Sequence, residues 1–145
     1  MATVTGMTAE KINELIDGRV PASSVEVEAT VEDLDTGDGA FGSLALGRAY
    51  RLIKVEVDKP CRLRLYASTE QRTADGDRNR DEDPQGDHGV ILEVIMTDEI
   101  LSMNLLPAPH GYTDVVSGTT PFSIVNDGDD GDITITFLEQ VLEPA

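Results

Sequence analysis

The sequence predicts an all-β domain: an antiparallel β-sandwich, jelly-roll-like, with a short N-terminal amphipathic helix. Short segments with an apolar residue at every second position recur at roughly ten-residue spacing, divided by clusters of Gly, Pro, Asp and Asn. The apolar residues are mainly Val, Ile and Leu, with three Phe, three Tyr and no Trp, and the β-branched share favours extended backbone over helix. The length, 145 residues, suits one domain that buries roughly two thirds of the surface its unfolded chain exposes. A single cysteine, Cys61, excludes an internal disulfide framework, so the apolar core must hold the fold.

At the N-terminus Thr8 is placed to cap a helix with Glu10 in its first turn. Ile12, Leu15 and Ile16 share one face, and Asp17-Gly18 offers a left-handed stop. So short a helix is marginal alone in water. Residues 1–20 are therefore expected to be an anchor segment that packs on sister copies or a larger assembly, the alternative being its own sandwich. Residues 21–145 form the sandwich, with 21–24 as linker.

In the first strand Val25, Val27, Ala29 and Val31 alternate with Glu26, Glu28, Thr30 and Glu32, giving one acidic face. Residues 35–42, DTGDGAFG, read as a turn. Along residues 48–58, Ile53, Val55 and Val57 oppose Leu52, Lys54 and Glu56, and Asp58-Lys59-Pro60 turns the chain. Cys61, Leu63, Leu65 and Ala67 then alternate with Arg62, Arg64 and Tyr66, which predicts a hairpin with the preceding strand and an inward Cys61 acting as a small hydrophobe. Ser68 followed by Gln71 fits a capping box, so residues 69–74 are expected to form one helical turn before the polar stretch 75–87. Residues 90–96 and 100–106 read as strands, the second with Leu101, Met103 and Leu105 on one face, ended by Pro107 and Pro109. A loop through Tyr112 leads to a strand with Phe122 and Ile124, and a final strand alternates Ile133, Ile135 and Phe137 with Thr134 and Thr136.

The net charge is −17, unevenly placed. All eleven Lys and Arg lie between Lys11 and Arg80, while residues 81–145 hold fourteen acids and no base. That half repels a polyanion, so nucleic acid is excluded as a partner. The acids fit a solubilising coat, with cation binding between subunits, docking on a basic surface and life at high salt as the sharper alternatives. No apolar run approaches the length of a membrane span, and no charged-then-apolar leader ends in small residues. Neither membrane insertion nor a signal peptide is expected.

Candidate chemistry is sparse. Residues 126–132, NDGDDGD, cluster carboxylates as a calcium loop does, but no Glu follows at the twelfth place and a strand replaces the exit helix, so a hairpin turn is expected. His88 and His110 lack a nucleophile, paired-carboxylate or H-E-x-x-H context and read as structural or surface residues. No catalytic residue, metal site or cofactor is expected. Arg72, Arg78 and Arg80 stand among seven acids in residues 69–88. They make either a solvated, self-neutralising segment or a contact with a neighbouring subunit, since arginine is favoured at interfaces.

Four segments, 50–55 (YRLIKV), 60–66 (PCRLRLY), 69–75 (TEQRTAD) and 87–94 (DHGVILEV), resemble a small β-sandwich module of tail and fibre-type virion proteins of tailed bacteriophages. Residues 7–17, MTAEKINELID, are similar to a leader of phage tail and fibre proteins. The resemblance implies a non-enzymatic virion structural protein, assembled in the host cytoplasm. It would form a trimer or ring with itself, contact other virion proteins and reach a host surface receptor. The expected assembly residues are Ile12, Leu15 and Ile16 on the leader and Arg72, Arg78 and Arg80 in the excursion. The rivals are a capsid decoration or head-fibre protein on the same fold, a carbohydrate-binding surface module for which Tyr50, Tyr66 and Tyr112 would be the platforms, and an enzyme.

Overall fold

The computed structural model describes residues 24–113 and 119–144. Among them nine strands and one helix follow in the order β1 (Ser24–Leu34), β2 (Gly39–Leu44), β3 (Ala49–Val57), β4 (Cys61–Tyr66), α1 (Thr69–Asp75), β5 (Val90–Met96), β6 (Ser102–Asn104), β7 (His110–Tyr112), β8 (Thr120–Asn126) and β9 (Gly131–Glu143). The strands form two antiparallel sheets. One has the order β1-β9-β3, with β6 and β7 both on the far side of β3; the other is β2-β8-β4-β5. The pairs are nested: β1 with β9, β2 with β8, β3 with β6 and β7, β4 with β5. Pairing of β3 with β9 and of β4 with β8 joins these pairs into sheets.

The alternation read along the outer strands is the one that folds. Ile133, Ile135 and Phe137 are buried, and Val31, Ala29 and Val27 of β1 stand half-buried opposite them. Glu28 and Thr30, between those β1 residues, face solvent, as period two requires. In the second sheet Leu63 and Leu65 pair with Ile124 and Phe122, all four buried. Both sheets feed one core, in which Leu52, Val55 and Phe137 meet Leu44, Leu63 and Phe122. Phe122 lies over Gly42, its partner on β2, where a Cβ would come within 2.4 Å of the ring. Cys61 is buried in this core, and burial, then the charges of Asp127 and Asp58, push its thiol up to about 12.

Several expectations are corrected. β3 and β4 do not form a hairpin: they lie in different sheets, and residues 58–60 carry the chain from one to the other. Alternation identifies a strand's faces, not its neighbours. The crossing is tied by Asp58 Oδ1, which accepts from Thr134 N at 2.9 Å, and by Lys59 Nζ, which donates to the carbonyls of Asp129 and Asp130 at 3.1 and 3.2 Å. In β3 the register with β9 shifts between Leu52 and Lys54. This bulge at Ile53 changes the phase of the strand, so that Tyr50 and Leu52 face the core together with Val55 and Val57. Residues 35–42 are not all turn, because β2 begins at Gly39. The strand expected over residues 100–106 is only Ser102–Asn104, and the expected loop through Tyr112 contains β7, which pairs with β3. The proposed leader helix, with Ile12, Leu15 and Ile16, lies outside the described residues.

The registers give the molecule two unlike ends. Ser24 pairs with Gln140, and at this end Arg48 N donates to Glu143 O at 2.7 Å and Thr113 N to Arg48 O at 2.8 Å. At the other end the turns at 35–38, 58–60 and 126–132 interlock. Gly37 N donates to Asn126 O at 2.7 Å, Thr36 Oγ1 to Gly128 O at 2.6 Å, and Asp127 N to Pro60 O at 3.0 Å.

Candidate functional site

Strand β4 is buried on both faces. Cys61, Leu63 and Leu65 enter the core, while Arg64 and Tyr66 on the opposite face are also buried. The reason is the excursion of residues 67–89 between β4 and β5, which folds back across the outer face of the β2-β8-β4-β5 sheet. Its helix α1 opens on one half of the expected capping box: Ser68 Oγ accepts from Gln71 N at 3.2 Å, while the second bond runs between the side chains, the Ser68 hydroxyl donating to Gln71 Oε1 at 3.0 Å. Gln71 Nε2 then donates to Asp87 O at 3.1 Å, and His88 Nδ1 accepts from Val90 N at 2.9 Å, so the histidine fixes the return into β5.

Two arginines and two carboxylates lock the excursion down. Arg78 Nε donates to Asp75 Oδ1 at 2.9 Å, and Arg78 Nη2 donates to Asp75 Oδ2 at 3.1 Å and to Glu93 Oε2 at 2.7 Å. Arg64 faces Glu93 across the β4–β5 ladder and hydrogen-bonds it through Nε. Arg64 Nη2 also donates to the carbonyl of Arg78 at 3.1 Å. Tyr66 completes the set by donating to Asp75 Oδ2 at 2.6 Å. The side chains of Arg64, Arg78 and Asp75 are 3%, 6% and 8% exposed, and that of Glu93, at the rim, 29%. Burial pushes the Asp75 carboxyl up, but hydrogen bonds from Arg78 and Tyr66 and the charges of both arginines outweigh it and hold the group below its ordinary value. Glu93 is held low by the same balance. Arg78, which burial pulls down, is pushed up by its bonds to Asp75 and Glu93.

The network alters the picture of the expected assembly arginines. Arg78 is self-neutralised but not solvated: its guanidinium is spent inside the fold. Arg72 Nη1 donates to Gly42 O at 2.8 Å, and its guanidinium stacks over the Phe41 ring, 4.6 Å from the centroid. Arg80 is exposed. Arg72 and Arg78 are thus held by different partners within the fold, while Arg80 lies near Arg62. The acidic turn is similarly occupied. Asn126 Oδ1 accepts from Gly128 N at 2.8 Å, and Asp130 Oδ1 accepts from Thr36 N at 2.7 Å. Among the described residues no group of three His, Cys, Asp or Glu is placed to hold a metal ion.

Beside the network a cleft of about 420 Å³ opens on the same face, lined by Phe41, Arg62, Gly76, Asp77, Ser123 and Val125 among others. Phe41 is 51% exposed. It is the aromatic residue that sequence reasoning missed, hidden in a glycine-rich segment taken as turn. Of the three tyrosines considered as platforms, Tyr50 and Tyr66 are buried and Tyr112 is exposed. Arg62 was missed as well, although arginines at alternate positions opposite a core face, just before a long excursion, are a readable signal of a covered polar surface. Burial, followed by the charges of Arg64 and Arg80, disfavours its cation, while Asp127 and Glu93 favour it.

A second buried ionisable group lies at the end where β1 begins. Glu139 accepts from Gly47 N at 3.2 and 3.0 Å through its two oxygens, and burial pushes its carboxyl up despite that bond. Nearby, the hydroxyls of Tyr50 and Thr120 are 3.1 Å apart. Burial and the Glu139 charge push the Tyr50 phenol up to about 12 against the lowering effect of the Thr120 bond. No family model, curated protein or solved structure matches the chain.

Proposed function

We infer that this chain is a non-enzymatic structural protein of a phage virion, a tail- or fibre-type appendage or adhesion module anchored through residues 1–20 and displaying a jelly-roll sandwich. Nested pairing supports the jelly roll. With β6 and β7 counted as one interrupted strand, eight strands pair as a long hairpin, its tip at the β4–β5 connection, rolled into two sheets.

The observation that carries the functional reading is the separation of the two ends. The chain leaves residues 1–23 and enters the sandwich at Ser24, which lies at the Gln140 end of β9. The interlocked turns at 35–38, 58–60 and 126–132 are at the opposite end, and the cleft residues Phe41 and Arg62 pair near it with Ser123 and Val125. One end is thus suited to attachment and the other to presentation. Sister copies and other virion proteins are the partners at the attached end, with a trimer or ring as the assembly, and the presented end would face a host surface.

Cross-linking of the full chain at micromolar concentration tests this arrangement. Cross-links between copies should map to residues 1–20 and to the end bearing Arg48 and Glu143. Cross-links confined to the 126–132 turn would contradict it. The same fold would serve a capsid decoration or head-fibre protein, and incorporation into heads in place of tails would select that reading.

A further inference from the structure

We propose that the cleft between Phe41 and Arg62 binds a carboxylate-bearing pyranose, an acidic sugar of the uronic-acid type. This goes beyond the assembly reading and does not depend on it.

The central observation is a cation that feels the charges of Asp127 and Glu93 but forms an ion pair with neither. The chain has a formal net charge of −17, yet the half-buried Arg62 guanidinium has no hydrogen bond or ion pair to any described residue. Its neighbours Arg64 and Arg78 take up the nearby carboxylates of Asp75 and Glu93. An arginine fork left open in a cleft is matched in shape and charge by a carboxylate, which it can hold through two parallel hydrogen bonds.

The remaining walls specify more than an anion. Phe41 is half-exposed and held in place: Arg72 stacks on the ring, and Gly76 lies so close that a Cβ there would come within 2.7 Å of it. A fixed aromatic ring offers a flat surface to the C–H face of a pyranose through dispersion. Asp77, exposed on the wall, is a hydrogen-bond acceptor that hydroxyl groups satisfy. It repels a phosphate dianion more than a monoanion and so favours a single carboxylate set among hydroxyls. The cleft volume, about 420 Å³, falls within the roughly 300–1,000 Å³ of small-molecule sites. The ligand must cross a field that is negative overall, but the exposed Arg80 lies near enough to Arg62 to add to the local positive charge.

Heteronuclear NMR titration of the full chain with glucuronate, glucose, acetate, inorganic phosphate and a short poly-glutamate peptide tests the proposal. Glucuronate should give saturable shifts centred on residues 41, 62 and 77, with each of the other probes at least about tenfold weaker. Arg62→Gln should weaken glucuronate by about tenfold or more, the loss of a charged hydrogen bond, and Phe41→Ala should weaken it while leaving acetate unchanged. Arg62→Lys, which keeps the charge without the fork, should fall between wild type and Arg62→Gln and guards against a folding defect in the latter. The proposal is overturned if glucuronate gives no saturable shift, if acetate, phosphate or the peptide binds as well, or if binding survives Arg62→Gln in a folded protein.

Discussion

Arg78 grips Asp75 through two hydrogen bonds, Nε to Oδ1 at 2.9 Å and Nη2 to Oδ2 at 3.1 Å, with both side chains less than a tenth exposed. The pair joins the C-terminal turn of α1 to the loop that follows. Through Glu93 and Arg64 it also ties that loop to the sheet.

Removing one partner of such a network leaves a buried charge unmatched. Arg78→Ala is expected to cost about 3 kcal/mol, the lower end of the range for breaking a buried ion pair, as read by urea unfolding. The damage should be local before it is global: hydrogen exchange should rise first across residues 67–89, while β1 and β9 stay protected. Replacing Arg64 and Glu93 together with Met and Leu should cost much less than either single change, because no charge is then stranded.

Two sets of carboxylates make opposite contributions to the pH dependence. Asp75 and Glu93 are held below their ordinary values of 3.8 and 4.5. Their stabilisation is therefore present above those values and lost as pH falls through the lower folded-state ones. Glu139 is pushed above its ordinary 4.5, so stability falls as pH rises from that value through its folded-state pKa. Glu139→Gln should raise the melting temperature at pH 7 and change it little at pH 4. A variant that melts lower than wild type at pH 7 but not at pH 4 would show that the Gly47 bond requires the charge.

Phe122 can lie over β2 because Gly42 has no side chain. Gly42→Ala would place a Cβ 2.4 Å from a buried ring, and the overpacking is expected to cost roughly 1–3 kcal/mol in urea unfolding. Gly37→Ala makes a useful contrast. No atom lies within 4 Å there, but φ is +85°, so any cost comes from the backbone and not from the core.

The sequence was most legible where one face of a strand meets solvent. Glu26, Glu28, Thr134 and Thr136 mark the outside of β1 and β9 as plainly as Val27 and Phe137 mark the inside. The Ser68 cap of α1 was also readable, because it is a local hydrogen-bonding device. Partner choice was not readable. Nothing in residues 58–60 distinguishes a hairpin from a crossing between sheets, and the bulge at Ile53 breaks the period that pattern reading relies on. The candidate site was the least legible part. Arg64 and Arg78 look solvated until the excursion is seen to fold back over β4, and Phe41 sits among glycines that conceal a strand.

The division into anchor and displayed sandwich is tested most directly by light scattering and thermal melting of residues 21–145 beside the full chain. Ile12, Leu15 and Ile16 are worth about 1.5–3 kcal/mol each when fully buried, too little to hold the domain but enough to join copies when repeated around a ring. The full chain should form a discrete oligomer at micromolar concentration, and the truncated chain should be a monomer that still melts cooperatively at a similar temperature. A truncated chain that is unfolded, or a full chain that is strictly monomeric, would contradict the account.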